Sequence, residues 1–406
     1  MRFAKVIEAA VFLSVALAAA PKVSSQTFTL LYTFTGGTDG AIPVGGLTLD
    51  PAGNLYGTAE SGVGNQGSAF KINRDGKFTV LHSFGPGGKT GAHPVAGLAL
   101  DSEGNLYPTT SGGGSFGEGA VFELPKNGKF KIIHNFSAGS DGSYPAASMI
   151  FDASGNLYGT TVYGGTSECE DGSGQPCGVI FKIDPTGKET VPSRFARPKR
   201  GGDFPYAGLI QDSAGNFYGT TLSGGADNLG TVFKFDASHH ETALYSFHGL
   251  DGEAPFAGLV QDANGNLYGT TAGGGDFGLG VFGTVFKIDP QGNETVLYNF
   301  TGGADGSNPR GTLIMDAAGN LYGTTYVGGQ NNGIDCFGGE GCGVVFKLDS
   351  FGNETVLHRF TETDGATPEA GLIMDSAGNL YGTTSLGGLL NETCPSGCGV
   401  VFKITP

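Results

Sequence analysis

A single phrase, Gly-Asn-(Leu or Phe)-Tyr, recurs seven times and sets what this chain can fold into. Its asparagines are Asn54, Asn105, Asn156, Asn216, Asn266, Asn320 and Asn379, spaced by 51, 51, 60, 50, 54 and 59 residues, and the tyrosine is nearly always followed by Gly-Thr. A period of this length that carries four strand signals marks a propeller blade. One repeat shows all four: a short apolar strand A (258–262), strand B (267–271), strand C (284–288) and strand D (294–300). Tight turns join A to B and C to D. Their Asp side chains hydrogen-bond the backbone, and their Gly residues take the positive φ that such turns need.

The ends of the chain predict how the repeats close. A D-type strand (28–34) comes before any A strand, and a C-type strand (400–404) has no D strand after it. Pairing the first with the last gives an all-β, seven-bladed β-propeller of four antiparallel strands per blade. It is closed by the N-terminal outer strand in a 3+1 velcro and leaves no orphan edge. Glycine supports this reading, since 75 of 406 residues is far above the usual roughly 7 per cent. Charged residues are only 15% of the chain, which argues against a disordered polyampholyte.

Residues 1–25 read as a secretory signal: Arg2 and Lys5, an apolar stretch from Ala9 to Ala20, then Val23-Ser24-Ser25 before Gln26. The apolar run falls short of the ~20 residues that span a bilayer, so cleavage is expected, leaving residues 26–406 as a single domain with no membrane span. Without Arg2, Lys5, Lys22 and Glu8 the chain holds 19 basic and 37 acidic residues. Such a surface repels phosphate backbones, and no nucleic-acid partner is expected.

The pattern Gly-Asn-Leu-Tyr-Gly-Thr-Thr…Gly-Gly…Gly-Val-Val-Phe-Lys-Ile-Asp resembles the GloVer tandem repeat of exported bacterial proteins across essentially the whole mature chain. The resemblance implies export and repeat architecture, with no established activity. That family carries varied C-terminal anchors, whereas this chain ends at Ile404-Thr405-Pro406, so a soluble periplasmic or extracellular form is expected. The blades are more distantly similar to NHL-type propellers, which are mostly binding platforms, and some lactone hydrolases share the general shape.

Variation is concentrated on one face. The B-to-C loops differ in length and hold all six cysteines, as the local pairs Cys169 and Cys177, Cys336 and Cys342, and Cys394 and Cys398. In an exported protein these read as three disulfides. Cys394 and Cys398 also have zinc-ligand spacing, but no further pair or histidine completes a site. The D-to-A loops carry Asp39, Asp141, Asp251, Asp305 and Asp364, each followed by Gly. Two readings stand for them: oxygen ligands for a cation such as Ca²⁺, or turn chemistry.

After each D-to-A loop comes a proline and one variable residue: Val44, Val95, Ala146, Tyr206, Phe256, Arg310 and Glu369. Strand A is innermost, so these positions belong at the mouth of the central channel. Tyr206, Phe256, Arg310 and Glu369 would form a ligand site with stacking rings and two hydrogen-bonding charges. The opposing reading is free drift at an exposed position.

His82, His134 and His358 take strand-D places held elsewhere by Tyr32, Tyr245 and Tyr298, so packing is their expected role. The seven repeat tyrosines are expected in the blade core. The basic cluster Arg194, Arg197, Lys199 and Arg200 reads as a solvated loop. No nucleophile–base set or phosphate loop stands out. The leading expectation is a non-enzymatic, monomeric binding module for a cell-envelope glycan or a protein. The absence of tryptophan weakens the sugar version. A hydrolase or lyase, metal-assisted or not, with its site at the channel mouth, and a purely structural module are the alternatives.

Overall fold

The computed structural model describes residues 26–405, except 63, 65, 86–88, 128, 166–175, 196–201, 277, 279, 330–335, 337 and 338. The expected signal segment lies outside these residues, as do Cys169, Arg197, Lys199 and Arg200. No helix occurs among the described residues, so none is long and apolar enough to cross a membrane.

The chain forms seven blades of four antiparallel strands. Blade 5 shows the pattern: A is Val260–Gln261, B is Leu267–Thr271, C is Thr284–Ile288 and D is Glu294–Asn299, hydrogen-bonded in that order. In the sheet that completes the seventh blade, Thr27–Thr33 pairs antiparallel with Val400–Thr405, the outermost of three C-terminal strands. Every C–D pair contains a bulge, as between Val285 and Phe286, and this bends the outer strand.

The core lies between blades. Seven phenylalanines end the D strands, and each meets a strand-C phenylalanine of the next blade, as in Phe34–Phe70, Phe247–Phe286 and Phe360–Phe402 with ring centroids 5.3, 5.1 and 5.1 Å apart. All are essentially buried. The edge-to-face geometry adds about 0.5–1.5 kcal/mol per pair beyond area burial.

The Gly-Thr after each repeat tyrosine has a packing reason. A Cβ on Gly269 would lie 2.6 Å from Phe286 Cζ, so only glycine lets that ring fit. The threonine hydroxyl then donates to a backbone carbonyl of the next blade, as Thr58 does to Ala96 at 2.8 Å. Blade 2 departs from the pattern. Pro108 stands at the glycine place, has no N–H to give the ladder, and splits strand B into Leu106–Tyr107 and Thr109–Thr110. Thr109 Oγ1 is buried there without a partner.

The repeat tyrosines differ from expectation. Most are half-buried at the blade edge rather than in the core, because their hydroxyls donate to the A-to-B turn aspartate, as Tyr268 does to Asp262 Oδ2 at 3.1 Å. A strand-C lysine sits over the ring, with Lys287 Nζ 5.9 Å from the Tyr268 centroid. The strand-D histidines do pack as expected: His82 stacks on Phe130 at 3.6 Å and His358 on Phe28 at 3.8 Å.

Candidate functional site

Each D-to-A loop brings its variable residue to the channel through the same backbone device. The residue before the loop proline adopts positive φ in all seven blades: Ile42, His93, Tyr144, Phe204, Ala254, Asn308 and Thr367, between 51° and 59°. Side chains with a Cβ seldom sit there, so tertiary contacts must hold it. Its N–H donates to the preceding blade and its C=O accepts from the end of its own strand B, as in Thr367 N to Cys342 O at 3.0 Å and Ser385 N to Thr367 O at 3.2 Å.

Disulfides brace this staple. Cys336–Cys342 and Cys394–Cys398 are bonded, with Cα atoms 5.2 Å apart in each. Cys177 is disulfide-bonded as well. The carbonyls of Cys177, Cys342 and Cys398 are the acceptors for Phe204, Thr367 and Ile42. Glycine before strand C completes the seam, since a Cβ on Gly399 would lie 2.5 Å from Pro43 Cδ of the next blade.

The seven variable residues meet. Val44, Val95, Ala146, Tyr206, Phe256, Arg310 and Glu369 all line one funnel of about 250 Å³ at the channel mouth, and all are half-buried. Tyr206 and Phe256 are neighbours, with ring centroids 5.4 Å apart. Arg310 is held on three sides. Its Nε donates to Asn308 Oδ1 at 2.7 Å, and its guanidinium carbon lies 3.9 Å from the Tyr326 ring centre and 5.4 Å from that of Phe256. Its Nη1 is 3.9 Å from Glu369 Oε2. Ser385 Oγ donates to Glu369 Oε1 at 3.1 Å.

A second ring of residues, from the ends of strand B and the positions before the prolines, extends the site beyond the sequence reading. Glu60 lies 3.6 Å from His93 Nδ1. Burial raises the pKa of Glu60, against the pull of His93. It also raises that of Glu369, with Arg310 and Ser385 opposing and Glu60 adding to it. Burial, then a hydrogen bond with Tyr163, pushes the Tyr206 hydroxyl up. Tyr144 and Tyr163 stand 5.9 Å apart. In the funnel itself Tyr206, Phe256, Arg310 and Glu369 form an aromatic and charged arc opposite the small apolar Val44, Val95 and Ala146.

The loop aspartates hold their own loops together. Each is separate, one to a loop, and engaged in local bonds. Asp39 accepts from Tyr32 and Thr35, Asp141 from Ser137, Asp251 from Tyr245 and His248, Asp305 from Tyr298 and Thr301, and Asp364 from Thr361. Among the described residues no group of three or more His, Cys, Asp or Glu could hold a metal ion. These carboxylates fix the loops that carry the mouth residues.

Fold and site together define a seven-bladed β-propeller with a mixed aromatic and polar funnel on its variable face. The chain belongs to the Gloeobacter/Verrucomicrobia repeat family, whose model matches residues 19–171, 169–337 and 281–406. No curated protein matches it. Among solved structures it is similar to the extracellular domain of a one component system from B. thetaiotaomicron, at 11% identity and TM-score 0.58, covering 93% of this chain and 40% of that one. It is also similar to PorZ, a bacterial surface component of the type-IX secretion system of Porphyromonas gingivalis, at 15% identity and TM-score 0.50, covering 88% and 46%. A gluconolactonase from Xanthomonas campestris aligns at 14% identity and TM-score 0.47 over 96% and 93%. The chain spans less than half the length of the first two, and at these identities the likeness concerns the fold alone.

Proposed function

We propose that this protein is an exported, non-enzymatic binding module that takes a neutral glycan into the channel mouth. The observation behind this reading is the convergence of seven variable positions on one funnel, where the rings of Tyr206 and Phe256 run on into Arg310 and Glu369. Rings of Tyr206 and Phe256 offer flat apolar faces, and tyrosines take the part that tryptophan plays elsewhere. Arg310, Asn308 and Glu369 offer charge-assisted hydrogen bonds to hydroxyls. The Glu369 carboxylate in the funnel and a net charge of −16 disfavour an anionic ligand. The disulfides are consistent with an oxidising compartment. Titration calorimetry with neutral oligosaccharides is the test: binding that disappears in Tyr206→Ala, Arg310→Ala supports the site, and binding unchanged in that variant refutes it.

One observation favours a second reading, a hydrolase or lyase. Glu369 lines the funnel, Glu60 lies close enough to add to its shift, and burial holds both toward the protonated form, the condition of a general acid. Turnover of a glycoside or lactone that is lost in Glu369→Gln would establish it in place of simple binding.

A further inference from the structure

At the start of each D strand one residue, Phe28, Phe78, Phe130, Glu189, Glu241, Glu294 or Glu354, faces the D strand one blade earlier or the loop that follows it, and the seven such seams are of two kinds. Three are aromatic. Phe78 stacks on Tyr32 at 3.7 Å, Phe130 on His82 at 3.6 Å and Phe28 on His358 at 3.8 Å, each pair within 7° of parallel. They join blade 7 to blade 1, blade 1 to blade 2 and blade 6 to blade 7. In the other four the first residue is glutamate: Glu189, Glu241, Glu294 and Glu354.

An acidic group stands beside each of these glutamates. Glu189 faces Asp141, which His134 Nε2 approaches to 3.4 Å, with Arg194 of its own strand as the opposing charge. Glu241 faces Asp203 and accepts from Ser193 Oγ at 3.0 Å. Glu294 faces Asp251 and Tyr245. Glu354 faces Asp305 and Tyr298, with Arg359 opposing. The Oε1 atoms of Glu189, Glu294 and Glu354 are buried without a hydrogen-bond partner. A buried, unpaired carboxylate beside another carboxylate is costly, and a proton removes the cost.

We infer that four of the seven blade seams are closed by protonated glutamates, making half of the ring a proton-sensitive device beneath the loops that carry Ala146, Tyr206, Phe256 and Arg310. The link to those loops is direct, because Asp141, Asp203, Asp251 and Asp305 belong to them. Raising the pH charges each seam glutamate against its loop aspartate and loosens both. The inference does not depend on what the mouth binds.

Its sign follows from linkage. Burial, then the neighbouring aspartate for Glu189, Glu294 and Glu354, raises the folded-state pKa of all four glutamates to about 7 from 4.5; Glu241 reaches the same value by burial, with Ser193 opposing and Asp203 adding. Their stabilisation is complete below 4.5 and is lost as pH rises through 7. His82 and His134, whose pKa values burial lowers, act in the opposite sense and lose stability as pH falls.

Thermal unfolding of the mature chain from pH 4.5 to 8, compared with Glu189→Gln, Glu241→Gln, Glu294→Gln, Glu354→Gln, isolates the four groups, since the histidines are common to both proteins. Gln mimics the protonated acid. The difference between the two Tm curves should widen by several degrees toward pH 8, with the wild type lower. A difference that does not change with pH overturns the inference. Should the variant not fold, carboxyl carbon shifts of the native wild type decide: four glutamates titrating near pH 7 uphold it, and all titrating below 5 refute it. Compared with that variant, folding of the wild type near pH 6 should take up about three to four more protons.

Discussion

Blades 7, 1 and 2 and blades 3 to 6 are written in one repeat, yet they differ both at the seams and at the mouth. The first group meets its neighbours through stacked rings, as in Phe78 on Tyr32. The second group meets through glutamates that share a seam with aspartates, as Glu294 does with Asp251. The mouth differs too: blades 3 to 5 carry the Tyr144–Tyr163 and Tyr206–Phe256 ring pairs above glutamate seams, whereas blade 7 carries Glu369, and blades 1 and 2 carry Val44, Val95 and the Glu60–His93 pair, above ring-stacked ones. A repeat protein shares its stability among neighbour interfaces, so one position can be apolar in some copies and ionisable in others without changing the fold. Closure explains where the rings fall, because two of the three aromatic seams flank the blade that joins the two ends of the chain.

The largest effect should fall on what both halves share. Phe286→Ala and Phe70→Ala each remove a fully buried ring from an inter-blade pair, and each should cost about 3–5 kcal/mol in urea unfolding. A clear inequality would mean that the halves differ in the core as well as the seams. Next comes the bridge beside the closing blade: Cys394→Ser, Cys398→Ser closes only a short loop, so about 2 kcal/mol is expected. A sharper test converts one seam into the other. Glu294→Phe places a ring against Tyr245 as Phe78 lies against Tyr32. It should add about 1 kcal/mol at pH 8 and markedly less at pH 5, where the glutamate is already protonated. The smallest change is Pro108→Gly, which restores strand B of blade 2 and gives Thr109 a partner. A gain of about 0.5 kcal/mol is expected, read from the denaturation midpoint.

Much of this architecture was legible in the sequence because each repeat states its strands and turns locally. Gly-Asn-Leu-Tyr-Gly-Thr-Thr places strand B, and the proline four or so residues past Asp-Gly places the mouth residue, so Tyr206, Phe256, Arg310 and Glu369 could be named in advance. Glu60, Tyr326 and Ser385 could not, since they follow strand B, and only the alignment of A and B in a blade puts them beside Arg310 and Glu369. A signal did exist: the residue after Gly-Thr-Thr varies as freely as the one after proline. The seams were hidden for another reason. Glu241 and Ser193 are 48 residues apart, so no local pattern joins them. The repeat tyrosines were misjudged because their apolar rings suggest burial, while the hydroxyl bond to the turn aspartate holds them at the blade edge.

The measurement that tests the account most directly is calorimetric titration of residues 26–406 with a panel of neutral oligosaccharides, run beside Tyr206→Ala, Arg310→Ala. The account predicts that at least one saccharide binds the wild type, and that the double variant loses it by tenfold or more, about 1.4 kcal/mol, while its melting temperature stays unchanged. Binding that survives the double variant, or no binding across the panel, would contradict the mouth as a glycan site.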